Sequence, residues 1–394
     1  MEKVVIASAL RTPFDKFGGP MSGEKTVALG AFAVKNALSR AEVKPEEVGE
    51  LYIGINMPTS NRSIARQIAL EATLPVESNA TTVDRACCSS SVAIAMAKRA
   101  IEVGDAKVTV GGGAENMSNV PYFLEDLRWG KRLGDVTLKD IMIVSCPYTG
   151  EPRAKQAGEV ALEFGISREM QDEWAYRSQQ RYQEAYKADK FAQEIVPYTV
   201  PDKKGDLVIN QDLSPRPDTK LEDLAKLKPV NQSPTVTAGN APGLSTGATA
   251  LVLMSESEAK SRGIKPLATI VAHAQASGHP KYIASIPATA AQKALAKAGM
   301  TIDQMDIIEI NEAFAVMPLV STLLLGDKNA KKVEAIRAKS NINGGAIAIG
   351  HPTGATGGRL LMALAYELQR RGGGYGLCSI CGGIGEGESF IIKV

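Results

Sequence analysis

The fold of this chain is decided by a segment that occurs twice. Residues 33–55, AVKNALSRAEVKPEEVGELYIGI, align without a gap on residues 290–312, AAQKALAKAGMTIDQMDIIEINE. In each copy an amphipathic helical pattern is followed by a short turn and a strand, and Leu38 matches Leu295. The repeat predicts that the chain contains two copies of one α/β unit.

A second pair of segments supports the duplication. Residues 87–113 and 350–383 both begin with a turn of small residues, continue as a long apolar helix and end as a strand followed by glycines. Strands that alternate with helices at this spacing predict layered sheets with helical crossovers. If the copies pack about a pseudo-twofold axis, the starts of these two helices face each other.

The middle of the chain has a different pattern. Residues 120–247 are polar and irregular, with YRSQQRYQEAYKADKF as a charged helix and PDKKGD and SPRPD as turns. We interpret this stretch as an insertion that covers one face of the core. The predicted divisions are an N-terminal unit, 1–119, continued by 248–267, the insertion, 120–247, and a C-terminal unit, 268–394.

Composition restricts the class of protein. The 394 residues carry 45 basic and 43 acidic side chains, so the net charge of +2 gives no electrostatic reason to expect nucleic acid or a membrane surface as a partner. The N-terminus enters a strand-like run at once, without a signal peptide pattern, and no apolar run reaches the length of a membrane span. Five cysteines then predict reduced thiols and a cytoplasmic location.

Two adjacent cysteines and one histidine are the candidates for chemistry. Cys87 and Cys88 lie at the start of a predicted helix, where free N–H groups and the helix dipole stabilise a thiolate. On composition alone, the favoured interpretation is that both are small buried residues that fill a tight turn. His351 lies at the equivalent turn of the second copy, whereas His273 and His279 have no companion pattern. Packed copies would form a thiol–imidazole pair for covalent catalysis, although a single histidine is more often structural.

These motifs, together with others in the same order, make nearly the whole chain resemble the thiolase family. They are VVIASALRTPF, VDRACCSSS, GGAENMS, TVTAGNAPG, NEAFA, NGGAIAIGHPTGATGGR and the closing segment GLCSICGGIGEG. The resemblance implies duplicated units in a five-layer αβαβα arrangement, with a loop domain that covers a CoA site. It also implies an acyltransferase, either an acetyl-CoA acetyltransferase or a 3-ketoacyl-CoA thiolase.

The resemblance places the nucleophile at Cys87 and makes Cys88 the small residue that follows it. Asp84 stands where the family has Asn, and Ser90 where it has Gly. An ungapped count from the histidine places the second cysteine motif, Cys-x-Gly, on residues 381–383.

Cys378 is then expected to be structural. With Cys381 it spells C-x-x-C, but the chain has no second pair and no histidine at zinc-finger spacing, so a metal site is not expected. A redox role is also not favoured, because the motif ends a strand rather than starting a helix.

The family's chemistry assigns a role to each matched residue. Cys87 attacks an acyl-CoA thioester while His351 accepts its proton, and Cys381 removes a proton from the methyl carbon of acetyl-CoA. The enolate attacks the acyl-enzyme to give a 3-ketoacyl-CoA, or the reverse reaction cleaves one. Asn311, through a water, and His351 are expected to form one oxyanion hole, with the N–H groups of Cys87 and Gly383 forming another. CoA is a substrate, and no bound cofactor or metal is implied.

The substrate pocket departs from the family pattern. Candidate CoA contacts are Arg216, Ala238, Gly239 and Pro242, the last of which replaces a serine. KYIASIP replaces the common Met-Gly-x-Gly-Pro segment, and EPRAKQAGE, with Pro152 and Arg153, replaces the His-Met-Gly stretch that shapes the acyl site in short-chain members. The acyl chain-length preference therefore stays open.

Two other classes of protein are considered. A condensing enzyme of the ketoacyl-synthase type shares the architecture, but it needs a second catalytic histidine where this chain has Cys381. A CoA-binding scaffold without turnover is the other alternative. The resemblance also implies a homodimer or homotetramer.

Overall fold

The computed structural model describes residues 2–57, 61–142, 145–203 and 205–394 as twelve strands and twelve α-helices. The strands are β1 (Val4–Arg11), β2 (Asp15–Lys16), β3 (Glu50–Gly54), β4 (Asn79–Val83), β5 (Val108–Asn116), β6 (Tyr198–Val200), β7 (Leu207–Ile209), β8 (Ser245–Ser255), β9 (Ala268–Ser277), β10 (Ile307–Ile310), β11 (Tyr375–Gly382) and β12 (Glu386–Lys393). The helices are α1 (Thr26–Arg40), α2 (Ile64–Glu71), α3 (Ser89–Val103), α4 (Arg153–Glu163), α5 (Arg168–Lys187), α6 (Leu221–Ala225), α7 (Glu256–Ser261), α8 (Ile286–Ala298), α9 (Val316–Leu325), α10 (Ala330–Ala338), α11 (Ala346–Ile349) and α12 (Thr356–Arg370). Within these ranges no helix is both long enough and apolar enough to cross a bilayer.

The duplicated segment forms the same structure in both copies. Helix α1 leads through a 3-10 turn at residues 45–47 to β3, and α8 leads through a 3-10 turn at 302–304 to β10. In the first copy the Glu47 carboxylate accepts a hydrogen bond from the Lys44 N–H, and in the second Gln304 accepts one from the Thr301 N–H, both at 2.8 Å. The same capping interaction therefore starts the 3-10 turn in both copies.

The order of the strands shows the same symmetry. The main sheet runs β10-β11-β12-β9-β1-β8-β5-β3-β4, with β2 paired to β8. Read outward from the β9–β1 junction, strands β9, β12, β11 and β10 of one half match β1, β8, β5 and β3 of the other, and β4 is an additional edge strand of the first half. The junction itself consists of two residue pairs, Val5 with Thr269 and Ile6 with Ala268. Two sheet halves related by duplication thus meet along one short contact.

Helices cover both halves and also fill the space between them. Helix α3 contacts β3, β5 and β8 of the first half and β12 of the second, while α12 contacts β10 and β11 as well as β5 and β8. Ile94 of α3 and Leu361 of α12 share a buried cluster with Leu251 and Phe390. Helices α1 and α2 pack on the first half and α8 on the second. The predicted αβαβα fold class is confirmed.

Residues 120–247 include α4, α5, α6 and the β6–β7 hairpin, and a buried ion pair attaches them to β1. The Arg11 guanidinium is fully buried and donates to the carboxylates of Glu194 and Asp212 at 2.6–2.9 Å. The backbone of Arg11 also pairs with Glu194 and Val196. Removing one partner of such a cluster leaves an uncompensated buried charge, so its loss would destabilise the attachment of these residues to β1. The domain boundaries stated above stay predictions.

The starts of α3 and α12 touch through their backbones. A Cβ atom built on Gly357 would lie 2.2 Å from the Ser91 Oγ and 2.7 Å from the Ser91 backbone nitrogen. The Ser90 hydroxyl accepts a hydrogen bond from the Gly358 N–H at 3.2 Å. Ser90 therefore joins the two helix starts.

We predict that Gly357→Ala lowers thermal stability, because an added methyl group has to push the two helix starts apart. Overpacking of this kind costs roughly 1–3 kcal/mol in the free energy of unfolding. Gly23→Ala is the matched control, since its added methyl would have no neighbour within 4 Å. Thermal melts followed by circular dichroism compare the two variants, and equal melting temperatures would show that the close approach of α3 and α12 is not required.

Candidate active site

Cys87 lies in a tight turn between β4 and α3. Ala86 has φ of +48°, a left-handed conformation that is strained for a residue with a side chain. The Asp84 carboxylate accepts a hydrogen bond from the Ala86 N–H at 3.1 Å. The Ser89 hydroxyl accepts from the Arg85 N–H at 2.8 Å and donates to the Ala86 carbonyl at 2.6 Å. Aspartate at position 84 thus supplies a hydrogen-bond acceptor for the turn, and Cys87 packs at the edge of the central buried cluster.

The turn that carries His351 faces Cys87. The Nε2 atom of His351 lies 3.3 Å from the Cys87 Sγ, and its Nδ1 lies 2.7 Å from the Thr356 Oγ1. The single hydroxyl proton of Thr356 is directed to the Pro352 carbonyl at 2.9 Å, so Oγ1 accepts from Nδ1–H. Nε2 is then free to accept the thiol proton. Thr356 was not predicted from the sequence, where its only signal is a hydroxyl residue at the start of the helix after His351.

Burial keeps both members of this pair neutral. Desolvation, with a smaller contribution from the Arg359 charge, lowers the pKa of His351 to about 3. Desolvation, followed by the neighbouring Cys381 and Glu115, raises the pKa of the Cys87 thiol. Helix α3 begins at Ser89, and the expected stabilisation of a thiolate by its N-terminus does not outweigh burial. The pair is therefore a thiol beside a neutral imidazole.

The two adjacent cysteines have different environments. Cys87 is partly exposed, whereas Cys88 is fully buried in the cluster between the sheet halves. The Cys88 Sγ donates to the Ile380 carbonyl at 3.6 Å. Only Cys87 contacts the imidazole, so the geometry favours it over Cys88 as a nucleophile.

The two cysteines of β11 pack in different buried clusters. Cys378 packs in the central cluster that contains Leu360, whereas Cys381 packs with Ala157 of α4 and Ala315. Burial raises the pKa of each thiol to about 12. A negative charge on Cys381 raises the pKa of Cys87, so the two groups are electrostatically coupled. Of the two, the structure brings Cys381 toward the predicted site.

The remaining predicted catalytic groups lie around the same pair. Asn311 follows β10, its Nδ2 is 3.4 Å from the His351 Nε2, and its buried Oδ1 has no hydrogen-bond partner among the described residues. A Cβ atom built on Gly383 would lie 3.8 Å from the Ala86 Cβ, next to the nucleophile turn. All five predicted catalytic residues therefore lie on elements that meet here. Their roles stay predictions.

The candidate CoA contacts form a neighbouring segment. The Arg216 guanidinium donates to the carbonyls of Ala238 and Gly239, at 3.4 Å each. Pro242 is partly exposed farther along the same segment. At the end of the segment, the Ser245 hydroxyl accepts a hydrogen bond from the His351 N–H at 2.9 Å. The segment that carries these residues thus ends at a contact with the His351 backbone.

The duplicated αβαβα core and the cysteine–histidine pair at its facing helix starts define a class of cysteine-dependent acyl-transfer enzymes. The family model "Thiolase, N-terminal domain" matches residues 4–257, and "Thiolase, C-terminal domain" matches residues 264–394. The chain belongs to the thiolase family.

Individual relatives are similar over their full length. The chain is 43% identical to the acetyl-CoA acetyltransferase of Cupriavidus necator and 40% identical to a β-ketoadipyl-CoA thiolase of Acinetobacter baylyi, with all of each chain covered. The crystal structure of human mitochondrial 3-ketoacyl-CoA thiolase in complex with CoA superposes with a TM-score of 0.93 at 37% identity, covering 100% of this chain and 98% of that one. The chain is thus an enzyme, an acyltransferase of the thiolase type.

We predict that Cys87 carries no thiolate at neutral pH, because burial raises the pKa of its thiol and keeps His351 neutral down to about pH 3. The ultraviolet absorbance of thiolate, taken as wild type minus Cys87→Ser, should stay near zero from about pH 5 to pH 8. A thiolate signal that persists through this acidic range would instead indicate a resting thiolate–imidazolium pair.

Proposed function

We propose that this enzyme catalyses the reversible Claisen condensation of acetyl-CoA with an acyl-CoA, through an acyl-Cys87 intermediate. The observation that carries the proposal is the 3.3 Å contact between the Cys87 Sγ and the His351 Nε2. This distance allows direct proton transfer as the sulfur attacks a carbonyl carbon. CoA thioesters are substrates, and the cysteines of the chain supply the covalent chemistry.

The first half-reaction forms the acyl-enzyme. The Cys87 sulfur attacks the thioester carbonyl while its proton moves to the His351 Nε2, and the tetrahedral intermediate then expels CoA. The departing CoA thiolate takes the proton of Cys381, which leaves Cys381 as a thiolate. The N–H groups of Cys87 and Gly383 are the proposed donors to the oxyanion.

The second half-reaction forms the carbon–carbon bond. The Cys381 thiolate takes a proton from the methyl group of acetyl-CoA, and the enolate attacks the carbonyl of the acyl-Cys87 thioester. The Cys87 sulfur leaves and recovers its proton from the His351 imidazolium. Burial makes Cys381 a strong base, since its thiol pKa is about 12. His351, with a water held by Asn311, is the proposed donor to the enolate oxygen.

The names of the relatives support the substrate class. One is an acetyl-CoA acetyltransferase and another a β-ketoadipyl-CoA thiolase, so we propose acetyl-CoA as the condensing thioester. Arg216 and the segment from Ala238 to Pro242 are the proposed contacts for CoA. The homodimer or homotetramer and the cytoplasmic location stay predictions.

We predict that Cys87→Ser abolishes turnover and the covalent acetyl-enzyme, because a serine hydroxyl is much harder to deprotonate beside a neutral imidazole than a thiol. Cys88→Ala is the matched control and should still become acetylated, since Cys88 lies in the core. Mass spectrometry of peptides after mixing with acetyl-CoA locates the label. Acetyl on Cys88, or on neither cysteine, would contradict the proposal, and the second result would favour a CoA-binding scaffold.

A second prediction separates the half-reactions. Cys381→Ala should still be acetylated at Cys87, although more slowly because the departing CoA thiolate then takes its proton from water. It should lose proton exchange at the methyl group of acetyl-CoA, because loss of a general base costs roughly a hundred- to ten-thousandfold. Deuterium uptake into acetyl-CoA, measured by mass, is the readout. Cys378→Ala is the control, because Cys378 packs between the sheet halves. If Cys378→Ala blocks exchange and Cys381→Ala does not, Cys378 is the base.

A further inference from the structure

One buried cation beside the active site has no role in the mechanism above. Arg153 is the first residue of α4, and only 9% of its surface is exposed. A Cβ atom built on Gly383 would lie 3.6 Å from the Arg153 Nε and 3.7 Å from its Nη2. The guanidinium therefore lies against the segment that follows Cys381. Its charge also acts on the thiols of Cys87 and Cys381, lowering the pKa of each.

The guanidinium is held in place by a neutral partner. Its Nη1 donates to the Gln156 Oε1 at 3.1 Å, and the Gln156 Nε2 in turn donates to the Thr149 Oγ1 at 2.9 Å. The buried Nε has no acceptor among the described residues. Since Nη1 is occupied, the edge that remains for a ligand consists of Nε and Nη2, and this is the edge that faces Gly383.

Other buried arginines in the chain have carboxylate partners. Arg11 pairs with Glu194 and Asp212, and Arg359 pairs with Glu309 at 3.0 Å. Within the part of the chain that the structure describes, no carboxylate forms an ion pair with Arg153. A buried guanidinium without an anion is costly, and its planar fork suits a carboxylate bound by two parallel hydrogen bonds.

The cysteines themselves are poor candidates for that anion. Burial raises the pKa of both Cys87 and Cys381 in spite of the Arg153 charge, so neither thiol supplies a negative partner in the resting enzyme. A ligand that brings its own carboxylate satisfies the Nε–Nη2 edge without ionising a catalytic thiol.

We propose, on the basis of the thiolase-type function above, that Arg153 binds a carboxylate at the far end of the acyl group carried by Cys87. The preferred acyl donors are then CoA half-thioesters of dicarboxylic acids. The carboxylate accepts hydrogen bonds from the Nε–H and Nη2–H groups of Arg153. Its negative charge neutralises the positive charge of the buried guanidinium. Arg153 is a specificity-determining residue that takes no part in proton transfer.

The test compares two four-carbon acyl donors that differ in this carboxylate. Succinyl-CoA and butyryl-CoA are mixed separately with the full chain, and the rate of acyl-Cys87 formation is followed by mass spectrometry. Wild type should react faster with succinyl-CoA. Arg153→Met should lower the ratio of the succinyl rate to the butyryl rate by roughly 10- to 100-fold, because the variant loses hydrogen bonds to a charged group. Arg153→Lys, which keeps the charge without the fork, should have an intermediate ratio.

Lys155→Met is the matched control on the same helix. Lys155 pairs with Glu151 and Glu159 outside the site, so its loss should leave the ratio of the two rates as in wild type. If Arg153→Met does not fold, the wild-type preference and its partial loss in Arg153→Lys decide the question.

Three results would overturn the inference. A wild-type enzyme that reacts equally with both donors has no carboxylate site. An Arg153→Met enzyme that slows equally with both donors shows that Arg153 acts on the cysteines instead. If no acyl-Cys87 forms with either donor or with acetyl-CoA, the proposed function is overturned as well. The first two results differ from this one because acyl-Cys87 still forms in them.

Discussion

The close approach of the first turns of α3 and α12 is the constraint on which the site depends. Each helix begins directly after one of the two turns that carry the candidate chemistry, so the distance between Cys87 and His351 is set by how closely the helices meet. Gly357 allows the backbone of one helix to touch Ser91 of the other. Duplication places the two helix starts opposite each other, and small residues bring the sulfur and the imidazole within 3.3 Å.

The same packing decides the protonation state of the pair. Two helix N-termini favour anions, yet the site lies in the interior, where desolvation penalises any isolated charge. Desolvation has the larger effect on both groups, and it leaves a thiol and a neutral imidazole. Thr356 then determines which imidazole nitrogen faces the sulfur. In the proposed mechanism, a pair arranged in this way develops charge only as the thioester carbonyl is attacked, when the proposed oxyanion donors stabilise it.

The fold and the neighbourhood of the site could be predicted from the sequence because both follow from local patterns. The repeated helix–turn–strand pattern led to the duplicated architecture, and its facing turns placed His351 near Cys87. The contributions of Thr356, Ser90 and Arg153 could not be predicted in this way. Ser90 and Arg153 depend on atoms distant in sequence, since the Ser90 hydroxyl meets the Gly358 N–H and the guanidinium of Arg153 meets Gly383. Thr356 is close to His351 in sequence, but its contribution depends on the orientation of the imidazole in the folded turn. Burial, which determines the pKa of Cys87, is also a property of the packed chain.

The buried arginines show how similar residues serve different ends in one structure. Arg11 joins the insertion to β1 through two carboxylates, and Arg359 joins α12 to β10 through Glu309. In both cases the anion comes from the chain, so the pair contributes to the specificity of packing. Among the described residues Arg153 has only a neutral amide partner, and it lies against Gly383 beside the turn that carries Cys87. On the proposed function, this unneutralised charge is available to select a ligand, so residues 120–247 would supply selectivity while the duplicated core would supply the covalent chemistry.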